Sequence, residues 1–462
     1  MSIPEPDIFA RAYASAIKTQ FQLDVGDHSI ILTSPVTTRG MATGDLIPSA
    51  LTNYLVYKFS DSLQYSDNPN YTGGSTGSYI QQFRSWIDWV ESKADHSVET
   101  TLRLAKARDD YLTANKKYFA VQEQAFDQWR IVKASFPDMD FRQWAESNYQ
   151  PLRDAEIARK AAEVELDEAM DAYFGADAAY LTQVMEGLRR AMGQDPWPGY
   201  NQEGLIEDAD FISQALKSAK NGEQLAQRAI TQAIFRIPQY TIPNYASTVQ
   251  SWIEASSRGA PRDQVITIDV NEGRKTKWED FGFKEVSSGS GTGFWPFFYS
   301  EVFVNNRWEK RTLETSGREN SVSLQLAMIG VQKFDIQPGG WDVPAVKARF
   351  PDRVPDAPNV LSPKVARMLS VIAAYDVQLK VSFASDMRDE VEEIYEEVKN
   401  TGGRMSVFGF HVSAGAGNGS DEYVETKFDD VKWDKASGTM SLTPVKGQPY
   451  STILGAVAHR FD

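Results

Sequence analysis

The sequence contains no cysteine among its 462 residues, which excludes disulfides, thiolate nucleophiles, iron–sulfur clusters and cysteine-held zinc. It also lacks an apolar run of the roughly eighteen residues that a membrane-spanning helix requires. The start, MSIPEPDIFARAYASAIKTQF, does not combine a basic region with an apolar stretch, as a secretory signal peptide does. We therefore expect a protein that is cytoplasmic as synthesised, and release by a non-classical route stays open.

Acidic side chains outnumber basic ones, and the sequence has few histidines. The 63 acidic and 48 basic residues give a net charge of −15, which argues against binding to nucleic acid. The four histidines form no HExxH pair, and no GxSxG nucleophile motif occurs. The glycine loops SSGSGTG (287–293) and AGAGNGS (414–420) lack the lysine of a phosphate-binding loop. The sequence thus predicts no catalytic, cofactor-binding or metal-binding residue, and an enzyme is the least favoured function.

Residues 79–236 have the pattern of long helices. Residues 79–136 contain neither proline nor glycine, and apolar side chains recur there every seven residues, which predicts one long amphipathic helix. These heptad-spaced residues are Val98, Ala105, Leu112, Phe119 and Phe126. Proline 137 interrupts the pattern, a second helix is predicted from about residue 151, and a third over 204–236. Because short connections make neighbouring helices antiparallel, we predict an elongated antiparallel helical hairpin or bundle.

The sequence pattern of the remainder of the chain differs from that of residues 79–236. Residues 237–462 hold β-branched and aromatic segments separated by glycine, proline and asparagine, which predicts a β-sandwich-like antiparallel sheet domain. An acidic helix, DMRDEVEEIYEEVKN (386–400), interrupts it and should end at the glycines that follow. Residues 1–78 form a mixed N-terminal segment that ends in YTGGSTGS. The predicted fold class is therefore α+β multidomain.

The turn between the first two predicted helices is the most aromatic part of the predicted helical region. The stretch FDQWRIVKASFPDMDFRQW (126–144) contains five rings, Phe126, Trp129, Phe136, Phe141 and Trp144. Three interpretations remain open: the rings close the end of the helical layer, dock into another subunit, or insert into a bilayer interface, where tryptophan is favoured. These five residues are the candidate partner or membrane contact.

A long helical hairpin with an aromatic tip, joined to a β-rich part, resembles in architecture the α-helical pore-forming toxins. This resemblance implies activity at membranes. The sequence favours a non-enzymatic, self-associating homo-oligomer, with a membrane surface as one partner. The alternative is a structural assembly or a carbohydrate-binding module, since the aromatic side chains of the β-rich part can stack on sugars.

Overall fold

The computed structural model describes residues 7–33, 39–42, 49–73, 75–92, 97–132, 135, 141–174, 178–191, 238–286, 297–300, 307–315, 322–343, 362, 364–413, 426–427, 430–443 and 450–461. Within them the chain mixes helices, one of them long, with several antiparallel sheets. The helices are α1 (Ile8–Gln20), α2 (Ser49–Ser60), α3 (Tyr79–Ser92), α4 (Val98–Val132), α5 (Phe141–Asn148), α6 (Gln150–Phe174), α7 (Ala178–Ala191), α8 (Tyr245–Ser257), α9 (Val270–Lys275), α10 (Arg307–Thr315) and α11 (Arg388–Thr401). The predicted third helix over 204–236 lies outside the described residues.

The strands come from both ends of the chain. They are β1 (His28–Leu32), β2 (Arg39–Ala42), β3 (Leu63–Tyr65), β4 (Tyr240–Thr241), β5 (Gln264–Ile268), β6 (Phe298–Ser300), β7 (Ser323–Met328), β8 (Gly330–Asp335), β9 (Gln337–Pro338), β10 (Val365–Tyr375), β11 (Gln378–Ser382), β12 (Arg404–Val407), β13 (Phe410–Ser413), β14 (Thr426–Lys427), β15 (Val431–Asp434), β16 (Thr439–Leu442) and β17 (Tyr450–Arg460).

The largest sheet has six strands and joins the two ends of the chain. Its main path is β1-β17-β10-β3, with β2 also pairing with β17 and β8 with β10. All of these pairs are antiparallel. Strand β1 pairs with residues 455–459 of β17, with His28 opposite His459. The strands of residues 7–73 therefore belong to the same sheet as the C-terminal strand.

The other sheets lie within the C-terminal half. A five-stranded antiparallel sheet runs in the order β15-β16-β11-β7-β5, and a four-stranded one in the order β14-β13-β12-β6. In the second of these, the described pairing of β13 with β14 is parallel. Helix α11 has the buried side that its spacing predicts, Val391, Ile394, Tyr395 and Val398. It ends at Gly402, whose φ of +70° suits glycine at a helix C-terminus.

One large apolar cluster joins side chains of α1, α8 and the two larger sheets. On α1, Phe9, Tyr13 and Ile17 are fully buried, as expected of residues four apart on one helix face. The Tyr13 hydroxyl also donates a 2.8 Å hydrogen bond to the carbonyl of Leu454 on β17. This first helix is therefore part of the main core.

The prediction of one continuous helix over 79–136 is wrong in its continuity. Ser97 is not helical, and its hydroxyl oxygen accepts the amide of Thr100 at 3.2 Å. Its carbonyl accepts the amide of Thr101 at 3.1 Å. A serine in this position satisfies amides that a new helix leaves free, and so it begins α4 as a separate helix.

Helices α4 and α6 contact each other along much of their length. Arg103 pairs with Glu165 and Glu168 at 3.0 and 3.2 Å. Farther along α4, the Tyr118 ring lies 5.2 Å from the guanidinium of Arg159. Two apolar clusters accompany these contacts, one built on Leu104, Ala107, Leu166, Ala169 and Met170, the other on Tyr118, Ala125, Trp144, Ala145, Leu152 and Ala155.

Candidate functional site

The described rings of the predicted tip form one cluster. The ring centroids of Phe126, Trp129 and Phe141 lie 5.2 to 5.8 Å from one another, in tilted or edge-on arrangements that aromatic pairs favour. Trp144 stacks on Tyr149 at 6.2 Å. Phe136, the fifth predicted residue, lies outside the described residues.

Burial divides this cluster into a core part and a surface part. Trp144 is buried with Ala145, Leu152 and Ala155 in the second cluster between α4, α5 and α6. Trp129 and Phe141 are half-buried against that cluster, whereas Phe126 remains 40% exposed. Trp144 is therefore a packing residue, and Phe126 presents apolar surface to solvent.

Phe126 also belongs to a longer exposed feature, which we call the heptad row: Val98, Ala105, Leu112, Phe119 and Phe126 on α4. Val98 is 77% exposed and Leu112 48% exposed, Ala105 is exposed, and Phe119 is half-buried. The predicted apolar face of α4 is thus not the face that α6 covers. Of the ten exposed large hydrophobic side chains among the described residues, seven lie on α4 and α6, so the apolar surface is concentrated there.

The face of α4 that packs on α6 buries two amide side chains among its apolar residues. Asn115 and Gln122 are buried on it, beside Leu104, Tyr118 and Ala125. Burying an amide costs free energy unless it is hydrogen-bonded, whereas burying leucine or phenylalanine is favourable. Helix α4 thus buries two amides while it leaves much of the heptad row exposed to solvent.

A row of charges flanks the heptad row. Asp109, Lys116, Glu123 and Arg130 are spaced seven residues apart, alternate in sign, and are all exposed. Each lies four residues after a member of the heptad row, so the two rows are neighbours on the helix surface. This pattern can select the direction in which a second helix packs.

Two of the four histidines meet, although 431 positions separate them in the chain. His28 and His459 are opposite each other in the β1–β17 ladder, and the carboxylate of Asp27 lies against both. No local sequence pattern indicates this group, because its residues are far apart in the sequence. His96 lies outside the described residues, and the backbone of His411 lies in β13.

Charged side chains also line a recess of about 420 Å³ beside the start of α1. Its lining includes five basic and three acidic residues, Arg11, Arg274, Lys275, Lys277, Lys284, Asp7, Glu279 and Glu285. Arg11 pairs with Asp7 at 3.2 Å and Lys275 with Glu272 at 2.7 Å, while Arg274 donates to the carbonyl of Leu313 at 2.6 Å. Three of the five basic groups are thus engaged within the chain, and three carboxylates line the same recess, which makes it a poor site for an anionic ligand.

Asp61 is buried, and its carboxyl group lies beside the first residues of α3. It accepts hydrogen bonds from the Tyr240 hydroxyl at 2.5 Å, from the amide of Ile80 at 3.0 Å and from the Ser78 hydroxyl. Burial raises the pKa of Asp61 to about 6, although these hydrogen bonds act in the opposite direction. Since Asp61 caps the helix from within the core, its role is structural.

The rings of the β-rich part are mostly core. Phe281, Phe283, Phe297, Phe298 and Trp308 are buried in the main cluster, which leaves them unable to stack on a sugar. No helix within the described residues has the length and apolarity needed to cross a bilayer. No protein-family model, curated protein or solved structure matches this chain.

Proposed function

We propose that this protein is a non-enzymatic, self-associating protein in which two copies join through the heptad row of α4. The observation that carries the proposal is the exposure of apolar side chains in that row, on a helix whose buried face includes two amides. A second copy offers the same row, and a two-fold interface brings a surface against itself. Apolar residues spaced by seven suit a long contact between two helices.

The charge row favours an antiparallel pairing of the two α4 helices. If the two-fold axis passes at Phe119, Leu112 of one copy lies opposite Phe126 of the other. Lys116 then lies within one residue of the level of Glu123 in the other copy, about 1.5 Å along the axis, and Asp109 lies equally near Arg130. A parallel pairing in register would instead place each charged residue beside the same residue of the second copy. Like charges in contact are destabilising.

The proposal includes an antiparallel hairpin of α4 and α6, which would present the heptad row on a rigid support. The contacts of Arg103 with Glu165 and Glu168, together with that of Tyr118 with Arg159, support it, because the partners move back along α6 as α4 advances. We likewise propose a sandwich-like packing of the two larger sheets. Their shared apolar cluster supports this arrangement.

Sedimentation at micromolar concentration tests the proposal with a matched pair of substitutions. Leu112→Glu places a charge in the heptad row, and Thr113→Glu places the same charge on an exposed neighbour that faces elsewhere. Both sites are exposed, so each substitution should change the free energy of unfolding by only about 0.5 kcal/mol. The unsubstituted protein and Thr113→Glu should sediment as species above 51.7 kDa. Leu112→Glu should weaken association about a hundredfold, because each dimer would bury two unpaired charges.

Charge reversal tests the direction of pairing. Lys116→Glu should weaken association by placing two acidic groups together, and adding Glu123→Lys should restore it. A monomer at every concentration would contradict the proposal and would mean that another part of the chain covers the row. If association occurs only on liposomes and dye leaks from them, the row contacts lipid, and the membrane activity implied by the toxin-like architecture replaces the dimer.

A further inference from the structure

The side chains of Asp27, His28 and His459 form a cluster of three metal-binding groups outside the helical region. The Nε2 atom of His28 lies 3.2 Å from Oδ1 of Asp27, and Nδ1 of His459 lies 3.3 Å from Oδ2. One potential ligand atom from each residue lies within 4.8 Å of the others. Among the described residues, this is the group of three histidine or acidic side chains that meets such a distance limit.

We propose that these three residues bind a divalent transition-metal ion of the zinc class. Zinc bonds to histidine nitrogen and carboxylate oxygen are about 2.0 to 2.2 Å long, so adjacent ligand atoms of a tetrahedral site lie about 3.3 Å apart. Each nitrogen lies at about this spacing from one oxygen of the Asp27 carboxylate, that of His28 from Oδ1 and that of His459 from Oδ2. Two imidazoles and one carboxylate suit zinc and its neighbours better than magnesium or calcium, which prefer oxygen ligands alone.

The backbone holds the three residues in place. His28 and His459 are direct partners in the antiparallel ladder, which keeps their side chains on the same face of the sheet. Asp27 is fixed next to them, because its carbonyl accepts the amide of Arg460 at 3.0 Å. The Arg460 guanidinium donates in turn to the carbonyls of Gly26, at 2.8 Å, and Gly282. A site on such a support needs little rearrangement to bind an ion.

The surroundings admit both the ion and a solvent ligand. The imidazoles of His28 and His459 are 31% and 32% exposed, so an ion can reach them and a water can fill the fourth position. Arg367 is the partner of His459 on the other neighbouring strand, but its guanidinium is paired with Asp342. That pairing reduces its repulsion of a bound cation.

A metal ion at this position would fasten the first strand of the sheet to the last. Asp27 and His28 flank the start of β1, and His459 is near the end of β17. These groups are far apart in the unfolded chain, so an ion bound to all three would favour the folded state. The proposed role is therefore stabilisation of the β1–β17 pairing, and it does not depend on self-association.

Titration of the full chain with zinc after treatment with a chelator tests the site. We expect one zinc ion per chain by calorimetry, together with a higher melting temperature in zinc than in chelator. His28→Gln and His459→Gln should each weaken binding at least tenfold and abolish the zinc-dependent rise in melting temperature. His411→Gln, in the separate sheet that contains β13, is the matched control and should change neither result.

Circular dichroism without metal shows whether each variant is folded, and two separate histidine variants keep the test informative if one of them misfolds. Asp27→Asn, which alters an exposed side chain, adds a third variant whose folding is not at risk. The proposal is overturned if the unsubstituted chain binds no zinc. It is also overturned if the His28, His459 and Asp27 variants retain its zinc affinity, or if His411→Gln removes the binding.

Discussion

Replacing Asp61 with asparagine should reduce the dependence of folding stability on pH between about pH 4 and pH 6. Burial raises the pKa of Asp61 from 3.8 to about 6. The folded state therefore holds a proton that the unfolded state releases in this interval. Because the folded-state pKa is the higher one, this contribution to stability is fully present below about pH 4. It is lost as the pH rises through about 6.

The size of the effect follows from the shift. A difference of about two pKa units corresponds to about 3 kcal/mol, at about 1.4 kcal/mol for each unit. Asparagine has nearly the shape of aspartate, and its carbonyl oxygen can still accept from Ile80 and Tyr240. Its amide nitrogen would face the Ser78 hydroxyl, which can rotate to accept. The variant should therefore keep the cap of α3 while losing the ionisation.

Urea denaturation at pH 4 and at pH 7 measures the effect as a difference of differences. The fall in the free energy of unfolding between these pH values should be smaller in Asp61→Asn than in the unsubstituted chain, by about 3 kcal/mol. Asp263→Asn, which removes an exposed carboxylate, supplies the baseline for losing one negative charge. An Asp61→Asn variant with the same dependence on pH as the unsubstituted chain would refute the argument.

Three further substitutions test the packing of the folded chain. Trp144→Ala should lower the free energy of unfolding by about 3 to 5 kcal/mol because the ring is buried, whereas Phe126→Ala, at an exposed ring, should lower it by less than half as much in the same urea titration. Equal losses would mean that both rings are core. Gly282→Ala should lower the melting temperature by at least several degrees, because Gly282 has a φ of +91° and a methyl group there would overlap the carbonyl oxygen of His28. An unchanged melting temperature would contradict that packing.

Local patterns in the sequence predict several elements well. The apolar spacing of the acidic segment predicts both the helix α11 and its buried side, and the glycine that follows marks its end. Helix α1 has a comparable buried side, with Phe9, Tyr13 and Ile17 four residues apart. These elements depend on a periodicity contained within a dozen residues.

The two longest strands, β10 and β17, are not predicted by local patterns of this kind. In β10, VARMLSVIAAY, nine of eleven residues are buried, so apolar and polar residues do not alternate as they do in a strand with one wet face. Strand β17, YSTILGAVAHR, has a similar apolar run between its ends. Pairing between β1 and β17 cannot be read from local patterns, and so the proximity of His28 to His459 emerges only from the fold.

The heptad row is a second case in which a local sequence pattern does not determine what a residue contacts. Its spacing identifies an apolar side of α4, but periodicity alone does not say what covers that side. The contact with α6 is made by the neighbouring face, where Leu104, Tyr118 and Ala125 lie beside the buried amides of Asn115 and Gln122. Burial in the folded chain is needed to separate the two faces.

Disulfide cross-linking tests the proposed antiparallel dimer most directly, because a chain without cysteine reacts only at cysteines that are introduced. Leu112→Cys and Phe126→Cys are prepared separately and then mixed under oxidising conditions. In a dimer of either variant alone, the two cysteines would be fourteen residues apart along the helix, about 21 Å, far beyond the roughly 7 Å between Cα atoms that a disulfide spans. In a mixed dimer they lie opposite each other. The account predicts covalent dimers from the mixture and few from either variant alone. A mixture that cross-links no more than the separate variants would contradict it.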